Sequence, residues 1–152
     1  MQTVPRDEMH EWTGKQTGIS DWFTIDQERI DAFADVTEDH QWIHVDQSAA
    51  ADGPFGTTVA HGFLTLSLLS NLASDAMVVP AGAVMYLNYG SDKVRFLSPV
   101  PSGARIRAVG VLKAVTEKSP ERTLVTTTVT VEIEGHETPA LVADLLTLAI
   151  VE

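Results

Sequence analysis

The stretch VAHGFLTLSLLSNLASDAM, residues 59–77, decides the fold of this chain. Its apolar side chains occur on nearly every side of the helix that the stretch predicts, and a helix of that kind is normally buried. Serine, asparagine and aspartate interrupt the apolar run, so the helix is too short and too polar to span a membrane. The sequence therefore predicts one long helix, from Val59 to Met77, in the interior of the protein.

Four strand-like runs follow this helix, and prolines and glycines separate them. The third run alternates apolar and polar residues, as a half-buried antiparallel strand does. One buried helix followed by long antiparallel strands predicts an α+β protein in which a curved sheet wraps around the helix. The predicted strands are Val84–Leu97, Ala104–Thr116, Thr123–Glu134 and Ala140–Val151.

The chain before residue 59 contains a second helical pattern. Asp26 is a typical N-cap residue, and the apolar spacing that follows it predicts a helix over Gln27–Val36. We find no linker or repeat, so the whole chain, residues 1–152, is expected to form a single domain. The other predictions are a peripheral segment over residues 1–18, a strand over Asp21–Ile25, and one helical turn at Ser48–Ala51 within an irregular excursion over residues 37–57.

Composition excludes several classes of protein. The 152 residues are 44% hydrophobic and 20% charged, which is typical of a globular protein. No cysteine is present, so disulfides, thiolate catalysis and cysteine–zinc sites are excluded. The net charge of −11 argues against nucleic acid as a partner. The polar first twenty residues lack the apolar core of a signal peptide, and the sequence therefore predicts a cytoplasmic protein without a membrane partner.

The charge is distributed unevenly along the chain. Three basic and fourteen acidic side chains precede residue 93, whereas seven of each follow from that residue onwards. A local basic region on an acidic protein is able to hold an anionic group such as a phosphate. The alternative is that these side chains are simply solvated positions on strands. The candidates for phosphate binding are Lys93, Arg95, Arg105 and Arg107.

A second stretch, from Asp39 to His44, carries the candidate chemistry. A carboxylate and an imidazole five residues apart can form an acid–base pair near neutral pH. Gly62 offers a backbone N–H at a helix start, which can polarise a carbonyl oxygen. Together they suggest proton transfer beside an acyl group. The alternative is structural: Asp39 forms a turn, His44 is a bonded loop histidine, and Gly62 permits close packing.

Three matches in this order make the chain resemble the MaoC-like dehydratases, the family that contains the (R)-specific enoyl-CoA hydratases. They are the segment Phe33–His44, the pair His61-Gly62 and the run Val94–Gly103. The resemblance covers the chain from about Trp22 to Val151 and implies the hotdog fold. At three positions the chain departs from the commonest family pattern, and this version resembles the sub-branch of nodulation-protein-N-like sequences. The departures are Glu38 for glycine, Gln41 for asparagine and Trp42 for proline.

The resemblance implies a lyase that adds water to trans-2-enoyl-CoA thioesters, or removes water from (R)-3-hydroxyacyl-CoA. Asp39 and His44 would hold one water, His44 activating it and Asp39 exchanging the α-proton, or the reverse. The Gly62 N–H would bind the thioester carbonyl. The implied reaction needs no cofactor beyond the coenzyme A of the substrate. The sequence has no H-E-x-x-H or comparable ligand spacing, so we expect no metal. A single-domain hotdog protein has an exposed sheet edge and an open helix face, so a homodimer is expected from the fold. The residues expected to line the pocket or support the pair are Gln41, His61, Ser70 and Ala73.

Some alternatives stay open at this level. A hotdog thioesterase would share the fold and the ligand but hydrolyse the thioester. A non-catalytic acyl-thioester binding module is the third hypothesis, and the departures at Glu38, Gln41 and Trp42 keep it open. Ser70 is expected either to orient the catalytic pair or to bond back to a carbonyl of its own helix, and the small Ala73 leaves room for a longer acyl chain. The sequence does not decide between coenzyme A and acyl carrier protein as the carrier.

Overall fold

The structure, a computed structural model, describes residues Met1–Val151. The strands are β1 (Gln2–Val4), β2 (Gln16–Ile19), β3 (Phe23–Thr24), β4 (Val78–Pro80), β5 (Ala83–Phe96), β6 (Arg105–Ser119), β7 (Arg122–Ile133) and β8 (Leu141–Val151). The helices are α1 (Gln27–Thr37), α2 (Trp42–Val45), α3 (Gln47–Ala51), α4 (Gly62–Ser67) and α5 (Leu69–Ala76), with a 3-10 turn at Met9–Trp12.

The main sheet is antiparallel, with the strand order β2-β6-β7-β8-β5, and β3 also pairs with β6. A small parallel pair joins β1 to β4. The register between β5 and β8 shifts at three points, one of them between Asn88 and Gly90. Bulges of this kind bend a strand and increase its twist. The predicted α+β class and the four long strands are confirmed, with ends that differ by up to three residues.

The core lies between one face of this sheet and the helices α4 and α5. Leu64 and Leu72 of the helices belong to the same buried cluster as Ile106, Val129 and Ile133 of the sheet. The alternation predicted for β7 is the physical basis: every second residue from Val125 to Ile133 is buried, and the last three of these, Val129, Val131 and Ile133, belong to this cluster. The sheet therefore covers one side of the helical segment.

Two glycines let the helix end approach the sheet closely. Gly18 of β2 and Gly110 of β6 are register partners beneath the last turn of α5. A Cβ on Gly110 would lie 1.8 Å from the Ala76 carbonyl oxygen, and one on Gly18 would lie 2.2 Å from that of Asp75. The Thr17 hydroxyl donates to the Ala76 carbonyl at 2.5 Å, which satisfies an acceptor that the helix end leaves free.

The predicted helix Val59–Met77 is shorter and divided in the structure. Residues 59 and 60 are extended because the Ala60 N–H donates to the Val100 carbonyl at 2.8 Å, and α4 therefore begins at Gly62. Leu68 separates α4 from α5. The prediction of burial on all sides is wrong: Phe63 is 68% exposed, because this chain covers only one face of the helical segment.

The structure corrects the predictions for the first 58 residues in three places. The N-terminal segment contains the short strands β1 and β2, which the sequence did not predict. Met9, in the 3-10 turn between these strands, is fully buried. The strand predicted over Asp21–Ile25 is limited to Phe23–Thr24. The excursion after α1 contains α2 as well as the predicted turn at α3. The helix α1 and its Asp26 cap are confirmed, since the Asp26 carboxylate accepts from the Arg29 N–H at 2.9 Å.

Among the residues that the structure describes, no helix combines the length and the apolar character needed to cross a membrane.

Candidate active site

The candidate acid, Asp39, follows a sharp reversal of the chain. Helix α1 ends at Thr37, and Glu38 adopts the left-handed conformation with φ of 61°. That conformation is strained for a residue other than glycine, and it occurs at the position where the commonest family pattern has glycine. The reversal turns Asp39 back towards the rest of the site, where its side chain stays 56% exposed.

The candidate base, His44, is held on the short helix α2 and is only 7% exposed. Its Nδ1 lies 2.6 Å from the Val59 carbonyl oxygen. Because a carbonyl only accepts, Nδ1 carries the hydrogen and Nε2 keeps a free lone pair. Burial is the main cause that lowers the pKa of the His44 imidazole; the bond to Val59 and the Asp39 carboxylate oppose it, and His61 adds to it. His44 is therefore a neutral base near pH 7.

A second histidine, His61, connects the two candidate residues. It is the N-cap residue of α4 and is only 3% exposed. Its ring stacks on that of His44, with centroids 3.7 Å apart and an interplanar angle of 27°. Its Nε2 lies 2.9 Å from the backbone oxygen of Asp39 and 3.9 Å from the carboxylate.

Asp39, His44 and His61 each bring one polar atom to within 4.8 Å of the others. Two groups that share one water at hydrogen-bond distance stand about 4.6 Å apart when the angle is tetrahedral. The separation therefore suits a shared water. It suits a metal ion poorly, because ligating imidazoles point their ring planes at the ion, whereas the two histidine rings lie face to face.

His44 and Gly62 line the same cavity, which has a volume of about 260 Å³. Gly62 is the first residue of α4, where the N–H has no acceptor within the helix. The Phe96 ring packs against Gly62, since a Cβ on that glycine would lie 3.0 Å from the ring. The other walls are formed by Ile43, Phe55, Val59, Ala60, Thr65, Leu97, Ser98, Pro99, Val100 and Ala140. The imidazole of His44, as a base, and the backbone N–H of Gly62, as a donor, thus face the same predominantly apolar cavity.

Sequence reasoning missed Gln27, the first residue of α1. Its side-chain amide donates to the His44 carbonyl at 2.8 Å and to Asp31 at 2.7 Å, and its oxygen accepts from the Thr58 hydroxyl. Gln27 thereby ties α1 to the segment before Val59, whose carbonyl orients the His44 ring. A glutamine in a first helical turn is unremarkable in a sequence, so no local signal marks it.

Ser70 and Ala73 lie in a different cavity, of about 390 Å³, between α5 and the strands β5 and β8. The Ser70 hydroxyl is 3.4 Å from the Asn88 amide and makes no hydrogen bond to Asp39 or His44. The prediction that Ser70 orients the catalytic pair is therefore not supported. Gln41 is exposed, and its side chain does not cap α2.

Two of the four phosphate candidates are already paired with carboxylates. Arg105 contacts Glu134 at 3.0 Å, and Arg107 contacts Glu132 at 2.6 Å. Both guanidinium groups also lie over the Trp22 ring. Each pair is neutral as a whole, so this part of the sheet surface does not concentrate positive charge as the sequence suggested.

Lys93, the third candidate, lies near a buried carboxylate on the sheet. Burial alone would raise the pKa of Asp144, but hydrogen bonds from Lys113 and Thr128 and the nearby charge of Lys93 lower it below its ordinary value. The charge of Lys93 is therefore partly balanced within the protein.

Arg95 is the candidate that stays available for a phosphate. It is exposed, and its guanidinium donates to the neighbouring Val94 carbonyl at 2.7 Å. Within residues 1–151 it has no carboxylate partner within 4.0 Å. It precedes Phe96, which lines the cavity of His44 and Gly62.

Comparison with known proteins agrees with this arrangement. Residues 9–134 match the family described as MaoC like domain. The chain is 50% identical over 131 residues to 3-hydroxyacyl-thioester dehydratase Z of Mycobacterium tuberculosis, covering 86% of each chain. It is 48% identical over 136 residues to Nodulation protein N of Rhizobium leguminosarum, covering 89% of this chain and 84% of the relative.

The fold is also that of a solved hydratase. The crystal structure of the (R)-hydratase from A. caviae superposes with a TM-score of 0.71 at 22% identity, covering 88% of this chain and 95% of that one. At that identity the likeness concerns the fold, and it confirms the hotdog architecture. Since the family match covers most of the chain and a relative is half identical over 86% of it, the protein belongs to the MaoC-like dehydratase family.

Proposed function

We propose that this protein is a hydro-lyase that adds water to trans-2-enoyl thioesters and, in reverse, dehydrates (R)-3-hydroxyacyl thioesters. One observation carries the proposal. Asp39 and His44 lie within the distance of a shared water, and His44 faces the cavity onto which the Gly62 helix start opens. The names of the relatives, above all 3-hydroxyacyl-thioester dehydratase, support the same reaction.

His44 acts as the base that takes a proton from the water. Its Nδ1–H is held by Val59, so the Nε2 lone pair is the available acceptor. The lowered pKa keeps that lone pair free at neutral pH. The oxygen of the water then bonds to the β-carbon of the enoyl group, while the double bond shifts electron density towards the thioester carbonyl.

Asp39 exchanges the proton at the α-carbon. In hydration the Asp39 carboxyl group enters protonated and donates its proton to the α-carbon while His44 takes a proton from the water. A proton then passes from the His44 imidazolium to the Asp39 carboxylate, directly or through solvent, and restores both groups. Both groups approach the substrate from the side of the shared water, which favours addition to one face of the double bond. The Gly62 N–H donates to the thioester oxygen, where negative charge develops.

The substrate carries coenzyme A, and the reaction needs no other cofactor because proton transfer alone completes it. We assign the phosphate contact to Arg95, the unpaired guanidinium closest in sequence to the cavity wall. Arg105 and Arg107 are not assigned, because each is paired with a carboxylate, and Lys93 is not assigned because the charge of Asp144 partly balances its own.

The working unit is a homodimer. Strand β5 pairs only with β8 among the described residues, and large apolar side chains are exposed along it. A strand at the edge of a sheet, with its outer side unpaired and its apolar side chains exposed, can pair with another chain. The exposed members are Val84, Met85, Tyr86, Leu87, Tyr89 and Phe96. Light scattering is expected to give twice the chain mass, and a monomeric mass with full activity would contradict this.

A spectrophotometric assay with crotonyl-CoA tests the function. Hydration removes the enoyl absorbance without releasing thiol, whereas thioester hydrolysis releases free thiol. Asp39→Asn and His44→Gln are each expected to fold normally and to lose about 10²-fold or more of the rate. Release of thiol, or turnover by either variant at the wild-type rate, would overturn the assignment.

A further inference from the structure

His61 lies beside both proposed catalytic residues without facing either cavity. Its side chain is 3% exposed, and it is not among the residues that line the space in front of His44 and Gly62. The Phe33 ring packs on it at 5.0 Å and the His44 ring at 3.7 Å. Because His61 is buried against these two rings, we assign it no contact with the substrate, and its effect on the reaction passes through its neighbours.

The hydrogen bond of His61 to Asp39 determines where its hydrogen sits. The Asp39 backbone carbonyl accepts only, so at 2.9 Å the Nε2 of His61 must be the donor. This bond holds the backbone from which the Asp39 carboxylate projects. This hydrogen bond matters because Asp39 follows the strained turn at Glu38 and its side chain is largely exposed, so few other contacts restrain Asp39.

The stacked pair restrains His44 as well. The Nδ1 of His44 is tied to Val59, but a single hydrogen bond leaves a ring free to rock about that bond. The His61 ring covers one face of the His44 ring and limits this motion. His61 also immediately precedes Gly62, so one side chain contacts or adjoins all three groups of the proposed mechanism.

The other nitrogen of His61 makes no contact that would explain an imidazole here. Its Nδ1 is buried without a hydrogen-bond partner among residues 1–151. For packing alone a phenyl ring would fill this space without leaving a buried polar atom unsatisfied. The imidazole is thus explained by its Nε2–H and not by its volume.

We infer that His61 is a positioning residue, which holds Asp39 by its Nε2–H and His44 by ring stacking so that the two can share one water. The inference rests on the proposed hydratase function and deepens it. It requires a hydrogen on the Nε2 of this histidine.

Two variants separate the hydrogen bond from the stacking. His61→Phe keeps a stacked ring and removes the donor to Asp39. His61→Gln places an amide N–H at a similar reach and removes the ring. For His61→Phe we expect normal folding, a KM for crotonyl-CoA within about twofold, and a kcat lowered about 10- to 10²-fold, as misplacement of a reacting group by up to about 1 Å produces. His61→Gln keeps an N–H for Asp39 but no longer covers the His44 ring, so its kcat is expected to be lowered through the loss of stacking.

The outcomes distinguish the positioning role from a structural one. Wild-type kcat in a folded His61→Phe would overturn the inference, because the donor to Asp39 would then not matter, and wild-type kcat in a folded His61→Gln would overturn the role assigned to the stacked ring. Nitrogen NMR of the wild-type protein tests this requirement even if a variant fails to fold: an Nε2 that carries a hydrogen supports the inference, and an Nε2 without one overturns it. Wild-type protein that hydrates no enoyl-CoA would instead remove the proposed function, and the NMR result would stand separately.

Discussion

The backbone N–H of Gly62 can be deleted without breaking the helix that it begins. Gly62 is the first residue of α4, a position at which proline is favoured because its missing N–H has no intrahelical acceptor. The preceding residue, His61, has φ of −59° and ψ of 137°, the extended conformation that a following proline requires. Gly62→Pro therefore removes the proposed donor while the main chain keeps its course.

Gly62→Ala is the matched control. A Cβ at this position meets the Phe96 ring at 3.0 Å in either variant, so both displace that ring by a few tenths of an ångström. Only proline loses the N–H. Losing one oxyanion donor costs about 2.7–4 kcal/mol of barrier. At about 1.36 kcal/mol per decade, the proline variant should hydrate crotonyl-CoA about 10²- to 10³-fold more slowly than the alanine variant.

The assay is the loss of enoyl absorbance at saturating crotonyl-CoA, with thermal unfolding of each variant as the folding control. The difference is expected in kcat, because the charge on the thioester oxygen develops in the transition state. If the proline and alanine variants fold alike and turn over at the same rate, the Gly62 N–H does not bind the thioester oxygen. The oxyanion part of the mechanism would then be wrong.

Three further outcomes follow from the same structure. The pKa of His44 is lowered from about 6.5, so kcat/KM should rise with pH through a limb centred below that value; in His44→Gln this limb should disappear. Arg95→Ala should raise KM for crotonyl-CoA but not for a thioester without phosphates, whereas Arg105→Ala, which breaks a pair with a carboxylate, should leave both KM values unchanged. Gly110→Ala should lower the free energy of unfolding by about 3 kcal/mol, because the new Cβ would lie 1.8 Å from a backbone oxygen; urea unfolding measures this loss. Gly90→Ala, whose Cβ would have 3.6 Å of clearance, should cost far less stability. Equal losses in the two variants would contradict the reasoning.

The lowered pKa of His44 also links folding to pH. The unfolded chain binds a proton at this imidazole more readily than the folded protein does. Stability that depends on His44 is therefore fully present above the unfolded pKa, near 6.5, and declines as the pH falls below it.

The main-chain pattern was predictable where local rules decide it. Asp26 caps its helix because a carboxylate can accept from the first free N–H groups, whatever the rest of the fold does. The alternation in β7 predicted which residues face the core, because side chains of a strand point to opposite faces in turn. The short strands β1, β2 and β4 escaped prediction because three or four residues carry too little pattern to distinguish them from a loop.

The sequence also predicted which residue types form the site, but it did not predict how these residues are arranged in space. Asp39, His44 and Gly62 stood out because a carboxylate, an imidazole and a free N–H are the groups that proton transfer beside a carbonyl needs. Ser70 was expected beside the pair and lies in another cavity, because helical spacing says nothing about which neighbour the helix face meets.

By itself, the sequence determined the α+β class, the long strands and the chemistry available to the site, because propensity, capping and periodicity act between near neighbours. Only the tertiary structure decided that His61 stacks on His44, that Val59 sets the tautomer of that base, and that two facing glycines admit the helix end. Contacts of this kind join residues far apart in the chain. They depend on burial and on distances of a few tenths of an ångström, which no local pattern of residues encodes.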